Sequence, residues 1–291
     1  MDRRQHRKAG GTVVAVVMLV GPGACATGCA GSGAAADARG PADPVTTLHR
    51  AADDLRAAGS SRAGTSMEMA TGGTRVTIRG KGVYDYRRQL GQLTVVLPQD
   101  PTGATEHRPI TELLAPGALY MKNRGAGVPA DKWVRVDTAT LSDGNLVTGG
   151  ATDPYAAAEL LRGTRTATYM GRTEVGGTAV RHYRGTADLA VAARAASAGN
   201  RAALAAAAKG FATAEVPFDV YLDDQGRIRK LRQRFSFVNG QQKTPVAVAS
   251  TTLLYDFGTD VHVKLPRPKD IYAGRIAEDQ SAEQPADHPG E

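Results

Sequence analysis

From Thr65 onward the chain alternates with a period of two, in short runs separated by turn residues that continue to Phe257. That period places successive side chains on opposite faces, so each run specifies a half-buried strand. Met67 and Met69 alternate with Ser66 and Glu68. After Gly72-Gly73, Val76, Ile78, Gly80, Gly82, Tyr84 and Tyr86 share one face, while Arg75, Thr77, Arg79, Lys81 and Asp85 share the other. A third run puts Gly91, Leu93, Val95 and Leu97 inward. Such strands form an antiparallel meander with one wet face.

Further strands are predicted over 118–122, 133–137, 166–171, 179–184, 216–222, 228–237, 246–257 and 261–265. Gly176-Gly177, Asp223 to Gly226 and Asn239-Gly240 supply turns. Three helices interrupt the pattern. The first, Pro44 to Ala58, carries Val45, Leu48, Ala52 and Leu55 on one face and stops at Gly59. Asp153-Pro154, an N-cap followed by a first-turn proline, leads into the second over 155–162. The third, Asp188 to Phe211, is alanine-rich with a break at Gly199-Asn200. Alanine favours helix but buries little area, so this element reads either as a weakly docked lid or as a surface helix.

Gly80, Gly82 and Gly91 fall on the apolar parity, where a compact sheet normally carries side chains. Glycine there lets something approach the backbone closely. That something is a ligand or a packed helix, and a sheet bent sharply around a helix satisfies the same residues.

The termini define the organisation. Arg3, Arg4, Arg7 and Lys8 precede an apolar run, Thr12 to Val20, that is too short to span a bilayer, which marks residues 1–28 as an export signal. Ala26-Thr27-Gly28-Cys29 resembles the lipobox of bacterial lipoproteins, in which the cysteine is acylated after cleavage. Cys25 fits less well because Pro22 stands where an aliphatic residue is preferred. The alternative is a plain secretory signal with two incidental cysteines. Residues 29–43 read as a flexible membrane tether with a reach of roughly 20 Å, residues 44–273 as one folded domain, and residues 274–291 as a disordered acidic tail. Cleavage leaves Cys29 as the sole cysteine, so stability rests on a core rather than on a disulfide.

Composition and spacing exclude several function classes. The formal charge of +7 falls to about +4 without the basic start, which is no nucleic-acid signature. His49, His107, His182 and His262 are scattered with no metal-ligand spacing, and no nucleophile elbow or phosphate loop occurs. Asp256-Phe257-Gly258 stands without any other kinase signature. No enzyme activity, cofactor or metal is expected. Arg227, Arg229, Lys230, Arg232 and Arg234 line one strand, either as a solvated outer face or as a strip for anionic headgroups.

A resemblance gathers these pieces. The opening helix, Gly80-Lys81-Gly82-Val83-Tyr84-Asp85, Leu119-Tyr120-Met121 followed by Lys132 to Val136, Val220 to Asp223 leading into Gly226-Arg227-Ile228, and Tyr255 to Val261 followed by Leu265 to Pro268 resemble actinobacterial LppX/LprG-type lipoproteins. More distantly they are similar to the LolA and LolB carriers. The resemblance implies an α+β fold: a strongly curved antiparallel half-barrel whose helices cover the concave face, with an apolar cavity between. It further implies a lipid or glycolipid ligand at the outer face of the cytoplasmic membrane, and it supplies no catalytic residues. The cavity expected from the strand parity is lined by Met67, Met69, Val76, Ile78, Gly80, Gly82, Leu93, Val95, Leu97, Leu119 and Met121. The same residues serve equally as a collapsed core. The competing function is a non-enzymatic envelope interaction module, which binds a partner protein through its surface.

Overall fold

Asp43 accepts the amide of Thr46 at 2.9 Å, which caps a helix at the place the apolar stripe predicts. The computed structural model describes residues 43–71, 74–98, 108–125, 127–238 and 245–273. The export signal, Cys29 and the rest of the tether through residue 42, and the acidic tail lie outside the described residues.

Helix α1 (Pro44–Ala58) buries Leu48, Ala51, Ala52 and Leu55. It is followed by β1 (Ser60–Thr71), β2 (Thr74–Asp85), β3 (Leu90–Val96), β4 (Ile110–Ala115), β5 (Ala118–Lys122) and β6 (Val134–Asp137). A crossing segment, residues 138–163, contains α2 (Pro154–Leu160) and leads to β7 (Thr164–Val175) and β8 (Thr178–Asp188). Helices α3 (Leu189–Ala195) and α4 (Ala198–Gly210) then precede β9 (Glu215–Leu222), β10 (Ile228–Val238) and β11 (Pro245–Tyr255).

All eleven strands form one curved antiparallel sheet in the order β6-β5-β4-β3-β2-β1-β11-β10-β9-β8-β7. The sheet is two meanders joined where the first strand pairs with the last, Thr65 opposite Thr252 and Met67 opposite Ser250. It does not close. The chain therefore has to pass from edge strand β6 to edge strand β7 on the other side, and residues 138–163 make that passage over the concave face. The architecture is the α+β half-barrel with helices on its concave side.

Three expectations change. Residues 261–265 lie outside the sheet, because β11 is already flanked by β1 and β10 and the chain turns away at Asp256 and Gly258, both at positive φ. That departing chain instead reaches the far edge, where Trp133 and Ile271 form a parallel bridge. Trp133 donates its amide to Asp270, and Tyr272 donates to Trp133. The strand β4 was not predicted, since Glu112 interrupts its apolar parity. The break in the alanine-rich element falls at Ala196-Ser197, with Gly199 and Asn200 inside α4.

The reason for that break is Glu159 of α2, whose carboxylate is fully buried. It accepts from the Ser197 amide at 2.9 Å, the Ser197 hydroxyl at 2.8 Å and Asn200 Nδ2 at 2.8 Å. An anion thus meets the N-terminal turn of α4, where free amides and the helix dipole favour it. Backbone contact does the rest: a Cβ on Gly144 would strike the Ala203 carbonyl, and one on Gly210 would strike that of Ser142. The helix is alanine-rich, yet it is pinned by charge and close approach rather than by apolar area.

Replacing Glu159 by Ala leaves three donors without their acceptor, and hydrogen bonds to a charged group contribute about 1.5–3 kcal/mol each. We expect amide exchange in Arg201 to Ala208 to accelerate at least tenfold while the central sheet is unchanged. Equal acceleration in α4 and β1 would show that Glu159 acts on global stability instead.

Candidate functional site

The inward parity of β1 to β5 makes an apolar wall, and the crossing segment covers it. Met67, Ile78, Leu93, Val95, Leu119 and Met121 are all buried there, at most 7% exposed. Met69, Val76 and Leu97 are partly buried and pack against the same core nearer the strand ends. The residues predicted as cavity wall are therefore brought together on one face.

The three glycines separate by role. A Cβ on Gly80 would strike the Thr65 hydroxyl of the neighbouring strand and meet Ala151 of the crossing segment at 3.3 Å, so a strand neighbour and the covering chain both approach here. A Cβ on Gly150, on the other side, would stand 3.4 Å from Ile78 and 3.5 Å from Val95. At Gly82 a side chain would strike the Gln92 backbone of the neighbouring strand, and at Gly91 it would strike the ring of Tyr84. Those two allow tight strand pairing and seat a tyrosine. Tyr84, Tyr86 and Tyr155 then form a ring cluster with centroids 5.2 and 6.0 Å apart. Tyr84 donates to Asp153 at 3.2 Å, and Asp153 caps α2 by accepting the Tyr155 and Ala156 amides.

The part of the crossing segment between Leu141 and Thr152 is irregular and largely buried, with Ser142 and Thr148 exposed. Buried irregular backbone needs partners for its polar groups, and this stretch supplies most of its own. Asp143 accepts the amides of Asn145, Val147 and Thr148; Gly150 donates to the Val147 carbonyl, and the Thr152 hydroxyl donates to that of Leu146. Two polar ties connect it to the sheet side: Arg124 donates to the Thr148 carbonyl at 3.2 Å, and the Thr152 and Ser250 hydroxyls meet at 2.6 Å. Leu146, Val147 and Ala151 supply its apolar contacts to the core. It is a plug that makes most of its own hydrogen bonds, has few polar ties to the sheet, packs its backbone against α4 at Ser142 and Gly144, and turns apolar side chains to the core.

Sequence reasoning missed one wall residue of a different kind. Glu112 lies opposite Leu93 on one side and Met121 on the other, is 0% exposed, and neither carboxyl oxygen has a hydrogen-bond partner. Burial pushes its pKa from 4.5 up to about 8, with Arg124 opposing the shift. The available signal was a lone acid in the apolar run Ile110 to Ala115. Asp153 is raised in the same way, to about 6, by burial that outweighs the amides it accepts.

On the outer face the basic strand is largely engaged. Arg227 pairs with Asp223 at 2.8 Å and lies over Phe257 with Arg229; Arg234 reaches Asp219 at 3.3 Å, and Lys230 sits over Tyr221. Asp256-Phe257-Gly258 is the turn that seats this Phe257 ring. Among the described residues no group of three or more His, Cys, Asp or Glu side chains is arranged to hold a metal, and no helix is long and apolar enough to cross a membrane.

Comparison with solved structures follows this geometry. In architecture the chain is similar to LppX-type lipoproteins and to the LolA superfamily. Lipoprotein LppX of Mycobacterium tuberculosis superposes with a TM-score of 0.43 at 9% identity, over 77% of this chain and 100% of that one. LprF of Mycobacterium bovis gives 0.38 at 14% identity, over 77% and 96%, and a LolA superfamily protein of Nitrosomonas europaea gives 0.34 at 11%, over 74% and 95%. No family model and no curated protein matches the sequence.

The raised Glu112 carries a pH signature. Its proton is held more tightly in the folded state, so its contribution is full below about pH 4.5 and is lost as pH rises toward 8. Asp153 acts with the same sign between about pH 4 and 6, which leaves the interval from pH 6 to 8 to Glu112. Because a tenfold difference in proton affinity is worth about 1.4 kcal/mol, we expect Glu112→Gln to unfold several degrees higher than the parent at pH 8. The two should converge near pH 5. Parallel melting curves across this range would place the titration elsewhere.

Proposed function

We propose that this chain is an extracytoplasmic lipoprotein, anchored through an acylated Cys29, that binds or carries a lipid or other hydrophobic ligand against its concave wall. The observation that carries the reading is the plug. An irregular stretch with its own hydrogen bonds, few polar ties to the sheet and an apolar side toward the wall occupies the space a ligand would take. When it withdraws, the ligand contacts Ile78, Leu93, Val95, Leu119 and Met121, and Met67, Met69, Val76 and Leu97 extend the surface toward the strand ends. Gly80 leaves room for the chain that covers it. Gly82 and Gly91 shape the wall without touching the ligand. Methionine suits such a surface because its flexible thioether adapts to different shapes. Each buried methylene contributes about 0.8 kcal/mol, so a long acyl chain offsets the loss of the plug's contacts with little directional chemistry. Nothing in the reading calls for catalysis or a cofactor.

A second reading rests on the same plug. If it never leaves, the concave face is an ordinary core, and the domain presents its outer surface to an envelope protein. Locking the plug separates the two. The Thr152 and Ser250 hydroxyls meet directly, so the double variant Thr152→Cys with Ser250→Cys places two thiols within bonding reach. Native mass spectrometry of the parent, purified from an envelope-lipid-rich host and again after delipidation, is expected to show a discrete lipid mass that is restored on adding lipid extract. The oxidised double variant should lose uptake, and reductant should recover it. A parent that stays apo throughout supports the interaction module.

Anchoring is tested separately. Cys29→Ala is expected to move the protein from the membrane fraction to the medium. Retention at the membrane would assign anchoring to another segment.

A further inference from the structure

Among the described residues, Glu112 is a buried acid on the wall that neither the fold nor the plug uses. It lies between Leu93 and Met121 in the cross-strand row, and neither oxygen is partnered. The plug lies over it and offers no remedy. A Cβ built on Gly149 would stand 2.8 Å from Asn145 Oδ1 and 3.3 Å from Glu112 Oε1, so the plug's amide oxygen and the acid oxygen face one small region. Asn145 Oδ1 is itself buried without a partner. These two oxygens face one another's surroundings, and neither they nor Glu112 Oε2 has a hydrogen-bond partner.

A hydrogen-bond partner for the acid is what the closed state lacks. The plug imitates the apolar part of a ligand but leaves the acid unpaired. A molecule that covers the same wall and also brings an O–H relieves a deficit that the plug cannot. A molecule ending in a carboxylate or phosphate would instead carry a full negative charge into a low-dielectric place beside an acid. A pure hydrocarbon relieves nothing.

Resting on the carrier reading, we propose that Glu112 is the polar anchor of the ligand site and that it selects uncharged amphiphiles bearing a hydroxyl, such as long-chain alcohols or acylglycerols, over fatty acids and anionic lipids. The hydroxyl donates to the acid, and it can accept as well, so it fits Glu112 with or without its proton.

The test is a competition at equal chain length between 1-hexadecanol and palmitate on the delipidated mature chain at neutral pH, read by native mass spectrometry. The parent is expected to prefer the alcohol at least tenfold. Glu112→Leu should keep binding the hydrocarbon chain but bring the preference close to one, and Glu112→Gln, whose neutral amide donates and accepts as the protonated acid does, should keep the parent's preference. Since Glu112→Leu removes a buried unpaired acid, it should fold at least as stably as the parent, which thermal melting checks. A parent without preference, or a preference untouched in Glu112→Leu, overturns the anchor while leaving the carrier reading intact. A parent that binds neither probe, nor lipid extract, overturns both.

Discussion

The pairing of β1 with β11 governs everything else in this structure. Because the first and last strands meet in the middle of the sheet, the two ends of the connecting sequence are forced to opposite edges. A chain in that position has one economical route, which is across the concave face. The crossing segment is therefore a consequence of topology before it is a device. Its burial creates the demand for self-satisfied hydrogen bonds that Asp143 and Thr152 meet.

Charge inside the molecule is handled in two contrasting ways. Glu159 is surrounded by donors from Ser197 and Asn200 and fixes one helix onto another. Glu112, equally buried, has none. A paired buried carboxylate organises its surroundings; an unpaired one destabilises the state that buries it. The first belongs to the scaffold and the second to the face where the proposed ligand would lie.

Much of the fold was legible because the outward residues of the strands are charged or polar and the inward ones apolar. Arg75, Arg79 and Lys81 set the register of β2 as firmly as Ile78 and Tyr84 do. The methionine and leucine set of the wall was legible for the same reason. What escaped the sequence depends on contacts made across long separations. Nothing near Ser197 announces that Glu159 will break the helix there, and nothing near Gly82 or Gly91 distinguishes room for a ligand from room for a neighbouring strand or a tyrosine ring. Glu112 escaped because an acid on the apolar parity reads as the absence of a strand. Residues 261–265 have a strand's alternation, but the strand before them is already flanked by β1 and β10, and alternation alone does not report that.

The bridge between Trp133 and Ile271, taken with the central β1–β11 pairing, bears on when this molecule can become a molecule at all. Both contacts wait for the last few dozen residues of the domain. Until these are available, the first meander has β1 and β6 exposed as two open edges, and the second lacks its central partner. Such long-range closure slows folding and concentrates the risk of intermolecular strand pairing in the incomplete chain. Premature termination before Ile271 would thus do more than shorten the protein, since it would remove the backbone bridge beside the β6 edge in every copy made.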